Sequence, residues 1–378
     1  MDFSLPDETL SIVELAREFC KKNIEPISSK MDREAYFPLE KFREMGKLGL
    51  LGLTAPEEYG GAGMNYLTEG AVLEEISYFS ASLGLSYGAH CNLVIDNILR
   101  NGSSAQKEKY VPSLVSGSKI GSLCLTEPGS GSDALGSMKT KYTFEGGRYK
   151  INGSKTFITN APLADVFIVY ARNFDRYSSF ILERGDGVET PREIKKMGMR
   201  GSPTGEVVMN NIEVGAERLL RGEGEGKEVV YGGLNAERAV LAFGSLGIAR
   251  RALDEAISYS NQREQFGRKI GEFELIQEKI AYMFTKLEAA RLLAFKAALI
   301  SEKRVTDPSY PAASIMFASE TATQIAKDAV QIFGGYGYTE DYPLERYLRD
   351  AILYEIGAGT TEIRKIVIAR SVLKNRQG

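Results

Sequence analysis

Three observations predict an α+β multidomain chain with a helical domain, a β domain and a second helical domain in that order. Apolar residues recur at helical spacing up to about Ser118 and again after Lys227, but at period two between about Ile120 and Leu220. The turn pairs Gly146-Gly147, Asn152-Gly153 and Asp186-Gly187 all fall in that middle stretch. A Gly222-Glu223-Gly224-Glu225-Gly226 linker separates it from the long helices that follow. The reading is an N-terminal helical domain over 1–119, a middle antiparallel β-barrel or sandwich over 120–222, and a C-terminal four-helix bundle over 223–378.

In the first domain the periodicity predicts helices near Asp7 to Asn23, Leu39 to Leu48, Leu67 to Phe79, Ala81 to Asn101 and Ala105 to Val111. Loop composition marks Ala55 to Gly63, and Asn101-Gly102-Ser103-Ser104 reads as a helix stop followed by a new N-cap. In the middle domain, Lys139 to Phe144 and Tyr149 to Ile151 flank the Gly-Gly turn, and Thr156 to Ile158 follows Asn-Gly. Val166 to Ala171 and Ser178 to Leu182 form a further pair. The last domain reads as four helices: Lys227 to Asn261, Phe273 to Glu302, Pro311 to Phe333 and Glu362 to Lys374. There are no repeats of solenoid period.

Composition narrows the function. The 378 residues carry 50 acidic and 47 basic side chains, and this near balance disfavours a general nucleic-acid binder. Cys20, Cys91 and Cys124 are far apart and lack metal-ligand spacing, so free thiols and no metal are expected, in a reducing compartment. No apolar run approaches the ~20 residues of a membrane span, and the start of the chain resembles no signal or transit peptide. The expectation is a soluble, cytoplasmic protein without membrane insertion, or one of the mitochondrial matrix if it is a processed eukaryotic chain. His90 is the sole histidine, so a Ser-His-Asp triad would have to run through it, and catalysis by a carboxylate or a cofactor is favoured.

One carboxylate stands out. Val230, Leu234, Leu241 and Ile248 share a helical face, and Glu237 sits on that stripe. Its three- and four-residue neighbours are Gly233, Leu234, Val240 and Leu241, so its own helix offers no ion partner, and Arg238 points about a quarter turn away. Desolvation there raises a carboxyl pKa toward the range of a general base. A buried Glu paired with an Arg from another helix fits the same pattern. Cys124 to Gly136, CLTEPGSGSDALG, exposes backbone N–H groups and hydroxyls that suit a phosphate or a polar ring edge, or simply decorate a turn. In Lys155 to Asn160, Phe157 and Thr159 alternate toward one side: a wall for a flat heteroaromatic ring, or a half-buried sheet face.

Over essentially its whole length the chain resembles the acyl-CoA dehydrogenase family. The resemblance rests on Leu125 to Asp133 and on Gln331-Ile332-Phe333-Gly334-Gly335-Tyr336-Gly337-Tyr338 continuing through Asp341, Arg346 and Asp350. It implies a homotetrameric FAD enzyme that oxidises an acyl-CoA to its 2,3-enoyl product and passes electrons to an electron-transferring flavoprotein. By resemblance Leu125, Thr126, Phe157 and Thr159 meet the flavin, and Ser132 meets the pyrophosphate and the substrate. Arg263, Phe266, Gln331, Gly334 and Gly335 reach the FAD of a neighbouring subunit, and Thr360, Thr361 and Glu362 open the last helix beside the cofactor. Phe157 stands where members often have Trp, and Glu274, where relatives have Gln, is left out of the site.

Many members carry the catalytic Glu in the loop that here reads Gly357-Ala358-Gly359, so Ala358 leaves that base missing. A minority, the isovaleryl-CoA and long-chain enzymes, supply it from the helix position that Glu237 matches. Asn235, Ala236 and Arg238 then line the acyl-CoA site, with Arg238 the more exposed, and the N–H of Ala358 stabilises the thioester oxygen. Among the branches the short branched-chain (isovaleryl) enzymes are most similar, including Gly84 to His90. His90 itself reads as packed rather than catalytic, and Gly357 widens the pocket or only shapes the loop. An oxidase using oxygen and a non-dehydrogenase flavoprotein of the same fold are the alternatives.

Overall fold

The computed structural model describes residues 4–303 and 307–375. The N-terminal helices are α1 (Asp7–Asn23), α2 (Ser28–Arg33), α3 (Leu39–Lys47), α4 (Tyr66–Phe79), α5 (Ala81–His90), α6 (Asp96–Asn101) and α7 (Ser104–Val115). Ser103 caps α7 through a reciprocal capping box with Gln106, as the sequence predicts. The stretch from Ala81 to Asn101 is not one uniform helix. Cys91–Ile95 winds as a π-helical turn between α5 and α6. Pro112 lies inside α7, which continues past the predicted end at Val111.

The middle domain holds β1 (Gly121–Cys124), β2 (Lys141–Glu145), β3 (Arg148–Thr159), β4 (Val166–Asn173), β5 (Arg176–Glu183), β6 (Thr204–Val214) and β7 (Leu219–Leu220). They form one open sheet in the order β6-β3-β2-β4-β5-β7, with β1 also on β4. A closed antiparallel barrel or sandwich is therefore not what forms. Both β1 and β2 run parallel to β4, and at the end opposite β6 the two-residue β7 is too short to close the sheet. The expected Asn152-Gly153 turn is likewise absent. β3 runs straight through it with a register shift, and Gly153, at φ 150°, passes so close to Thr140 that a Cβ would lie 2.4 Å from its hydroxyl.

The C-terminal part contains α8 (Gly226–Ser260), a short hairpin β8 (Glu264–Gln265) and β9 (Arg268–Lys269), then α9 (Glu274–Glu302), α10 (Ser309–Phe333), α11 (Leu344–Ile356) and α12 (Thr361–Asn375). Helix α11 is an addition to the four predicted helices. The 35-residue α8, roughly 50 Å long at 1.5 Å per residue, is buried on most sides and packs against α4, α9 and α10. It approaches α4 so closely at Gly247 that a Cβ would lie 2.3 Å from the carbonyl oxygen of Glu74. Only a residue without a side chain permits that contact.

One arginine of α11 ties three parts of the chain together. Arg349 donates to both carboxylate oxygens of Asp32 in α2 (3.0 and 2.6 Å), to the carbonyl of Met197 (2.9 Å) and to Glu345 (2.6 and 3.0 Å). The adjacent buried Asp350 accepts from the N–H of Met199. Arg349→Met leaves the buried Asp32 carboxylate without its partner, a loss of about 3 kcal/mol or more. Thermal unfolding of the purified protein should show a clearly lowered Tm, and an unchanged Tm would remove this contact from the set that holds the fold.

Candidate active site

Glu237 lies about a third of the way along α8 at 7% exposure, with Ala236 and Arg238 also buried and Asn235 half-buried. Burial raises its pKa to about 7, against the pull of the Arg238 and Arg364 guanidiniums. Arg238 corrects the sequence reading: at 6% exposure it is no more open than Glu237, and it acts on that carboxylate despite pointing off its face. Its Nε donates to the carbonyl of Ala358 at 3.0 Å. Arg364 of α12, fully buried, donates to the carbonyl of Gly357 and, at 3.2 Å, to the hydroxyl of Ser319.

These two guanidiniums hold the Gly357-Ala358-Gly359 loop beside Glu237. Ala358 sits in the left-handed region at φ 56° and Gly359 at φ 89°, where a Cβ would lie 3.0 Å from an Arg238 nitrogen. Gly359 thus answers a backbone demand. Gly357 does not: its φ is −71°, and an added Cβ would meet only the Leu353 carbonyl at an ordinary 3.5 Å. The missing side chain leaves space. Next along the chain, Thr360 accepts weakly from the N–H of Ile363 (3.4 Å), the Thr361 hydroxyl donates to the carbonyl of Glu355 (3.3 Å), and Glu362 is exposed at the start of α12.

The second wall comes from the middle domain. Lys155, fully buried on β3, donates to Glu127 at 2.9 Å and to the carbonyl of Leu125 at 3.1 Å, and the N–H of Thr156 donates to the carbonyl of Thr126 at 2.9 Å. Glu127 also accepts the N–H groups of Lys139 (2.6 Å) and Thr140 (2.9 Å). Although burial opposes ionisation, Lys155 and these N–H groups hold its carboxyl below the usual range. The loop from Leu125 is thereby fastened to a bulge in β3, where Phe157 stands at φ 58° and 65% exposure, its ring turned outward. Thr159 is half-buried and Ser132 exposed. Leu125 and Leu234, the latter one turn before Glu237, pack against the same apolar cluster.

A third group lies elsewhere. Arg263 sits 5.9 Å over the ring of Tyr336, close to Gln331, Gly334 and Gly335. Phe266, at φ 53° and 95% exposure, tips the β8–β9 hairpin next to Gly267 at φ 79°. Tyr259 stacks on Phe333 at 4.0 Å, so this group gathers at the far end of α8. Ser260 follows Glu237 by twenty-three helical residues, roughly 35 Å along the axis.

Two other sequence readings have clear outcomes, those for His90 and for the cysteines. His90 is buried and bonded on both ring nitrogens, to the carbonyl of Leu114 (2.9 Å) and the N–H of Gly121 (3.0 Å), and burial lowers its pKa to about 4. It joins α5, α7 and β1. The three cysteines are free and buried, and among the described residues no group of acidic, Cys and His side chains is arranged to hold a metal. Sequence reasoning did not find Glu127, Lys155 or Arg364. A charge among apolar neighbours was the available signal for Arg364 beside Ile363, Ile366 and Val367.

Three family patterns match successive parts of the chain: acyl-CoA dehydrogenase N-terminal domain over residues 6–118, middle domain over 122–212, and C-terminal domain over 224–373. The chain is 46% identical over 376 residues to the mitochondrial isovaleryl-CoA dehydrogenase of Arabidopsis thaliana, covering 97% of this chain and 92% of that one. It superposes on butyryl-CoA dehydrogenase from Megasphaera elsdenii with a TM-score of 0.96 at 36% identity, covering 99% and 100% of the two chains. Against an acyl-CoA dehydrogenase from Bacillus anthracis complexed with FAD the TM-score is 0.92 at 33% identity, covering 99% of this chain and 68% of that one.

The raised pKa of Glu237 has a consequence for stability. The folded chain holds a proton there that the unfolded chain releases near 4.5, so between that pH and about 7 the native state binds more protons. Its stabilising contribution is therefore complete below pH 4.5 and is lost as pH rises through 7. Glu237→Gln removes that dependence and should stabilise the protein at pH 8 by on the order of 2 kcal/mol. Denaturant melts of both proteins at pH 5 and pH 8 check this, and equal differences at the two pH values would contradict it.

Proposed function

The chain belongs to the acyl-CoA dehydrogenase family and is an FAD-dependent enzyme, and from that premise we propose that Glu237 is the base in the oxidation of a short branched acyl-CoA to its 2,3-enoyl-CoA. The observation that carries this reading is a lone carboxylate, buried and raised to about 7, beside a loop whose central residue is Ala358. Glu237 takes the proton from the carbon next to the thioester carbonyl. The thioester oxygen gathers negative charge as that proton leaves, and the main-chain N–H of Ala358 donates a hydrogen bond to it. When bound, FAD supplies the acceptor for the hydride that departs from the neighbouring carbon.

The residues fit such a cofactor. Phe157 turns an exposed aromatic face outward from a strand already fastened to Leu125 and Thr126, which suits a planar ring system. In this reading Leu125, Thr126, Ser132, Phe157 and Thr159, with Thr360, Thr361 and Glu362, hold the ring and its chain. Arg263, Phe266, Gln331, Gly334 and Gly335, gathered beyond the far end of α8, serve a second copy of the chain, in keeping with a homotetramer. Ser132, Asn235, Ala236, Arg238 and Gly357 border the acyl-CoA, Arg238 acting from behind the loop. Space at Gly357 and the isovaleryl-CoA enzyme among the relatives favour a branched acyl group.

Electrons then pass to an electron-transferring flavoprotein; release of hydrogen peroxide matching turnover would instead identify oxygen as the acceptor. Among the described residues no helix is long and apolar enough to cross a membrane. The three buried free thiols suit a reducing compartment, cytoplasmic or of the mitochondrial matrix.

Anaerobic titration with straight and branched acyl-CoAs tests the substrate class, and bleaching of the flavin should be fastest with short branched chains. Glu237→Gln should keep its FAD and bind acyl-CoA while flavin reduction falls by about 10³-fold or more; normal bleaching would sink the assignment. Gly357→Tyr narrows the site, and kcat/KM for branched substrates should drop at least about tenfold relative to straight short chains. Parallel losses for both would place Gly357 outside the acyl pocket.

A further inference from the structure

Resting on the reading that the N–H of Ala358 receives the thioester oxygen, we propose that Arg364 is a positioning residue that fixes and polarises that donor. The carbonyl of Gly357 and the N–H of Ala358 belong to one peptide unit. Arg364 donates to the carbonyl end of that unit, while no acceptor among the described residues takes the N–H end. A cation bonded to the oxygen draws electron density along the amide, and the N–H becomes a stronger donor.

Several features favour this role over plain packing. Arg364 is fully buried, which a side chain needed only to fill space would do at lower cost as a hydrocarbon. Burial, with repulsion from Arg238, lowers its pKa to about 10, so it remains charged at neutral pH. Its second bond, to Ser319 of α10, anchors the guanidinium from the opposite side. The loop is held on both flanks of the peptide: the N–H of Gly357 donates to the carbonyl of Leu353 at 2.8 Å, and Arg238 takes the carbonyl of Ala358 at 3.0 Å. The two arginines thus have separate tasks. Arg364 acts on the amide whose N–H is free, and Arg238 acts on the next one.

The test is the carbonyl stretch of a bound, unreactive acyl-CoA analogue, labelled with ¹³C at the thioester and read by difference infrared spectroscopy on FAD-loaded protein. In Glu237→Gln, which leaves the donor intact, binding should shift the stretch to lower frequency as in the wild type. Adding Arg364→Met should reduce that shift by half or more, with Arg364→Lys between the two because the charge stays and the fork is lost. In the Glu237 background, flavin reduction should slow roughly tenfold or more while analogue Kd changes less than about threefold. A folded, FAD-loaded Arg364→Met protein with the full shift overturns the proposal. Should that variant not fold, an unshifted comparison between Arg364→Lys and wild type overturns it equally. A wild-type stretch that binding does not move overturns the Ala358 reading itself, a different failure from a wild-type shift indifferent to Arg364.

Discussion

A carboxylate that must accept a proton near neutral pH needs burial without a tight ion pair, and Glu237 is held in that condition. Burial alone would push it higher still, whereas a direct salt bridge would draw it well below neutrality and leave it a poor base. The molecule takes the middle course. Arg238 and Arg364 both act on Glu237 through space, yet each points its hydrogen bonds at a loop carbonyl instead. Positive charge is close enough to moderate the carboxyl and committed enough elsewhere not to capture it. The same two side chains shape the Gly357-Ala358-Gly359 loop, so the proton affinity of Glu237 and the loop geometry depend on one set of contacts.

That arrangement sets demands on distant parts of the chain. The loop follows α11 directly, and α11 is positioned by Arg349 and Asp350, which reach α2 and the segment around Met197 to Met199. α8, which carries the carboxylate, is locked against α4 at Gly247. The site is therefore fixed by contacts between regions widely separated in sequence. Lys155 and Glu127 do the same for the opposite wall, where a buried pair with additional N–H donors fastens an irregular loop to a bulged strand. Such a pair loses much of its Coulomb gain to desolvation, and its evident use is to hold the loop in register with Phe157.

The parts of this organisation that could be read from sequence were those written in local pattern. The stripe of Val230, Leu234, Leu241 and Ile248 was enough to mark Glu237 as anomalous, and the Ser103 cap and the Gly146-Gly147 turn followed from local backbone chemistry. What escaped depended on distant partners. Asn152-Gly153 has the composition of a turn, but Thr140 presses against Gly153 and the strand continues. Arg238 was expected to be the more open residue of its pair because the helical wheel contains no information about the loop that covers it. Arg364 shows no local anomaly beyond a charge near apolar residues, and its meaning appears only when Gly357 is folded against it.

The length of α8 carries the last step. On the proposed reading, an extended cofactor has its ring near Phe157 and the remainder near a second group of contacts, yet Arg263 and Phe266 follow the end of α8 at Ser260, itself roughly 35 Å from Glu237 along the helix. No bending of side chains closes that gap within a single chain. Phe266 also lies in a left-handed conformation at a hairpin tip, almost wholly exposed and touching only the edge of Phe273 at 6.2 Å among the ring contacts of the described residues. The exposure is relieved if the ring enters another subunit, and the burial gained there offsets the cost of the backbone conformation. On the same reading, the helix that buries Glu237 also separates the two groups of cofactor contacts, and a second copy of the chain would bring them together.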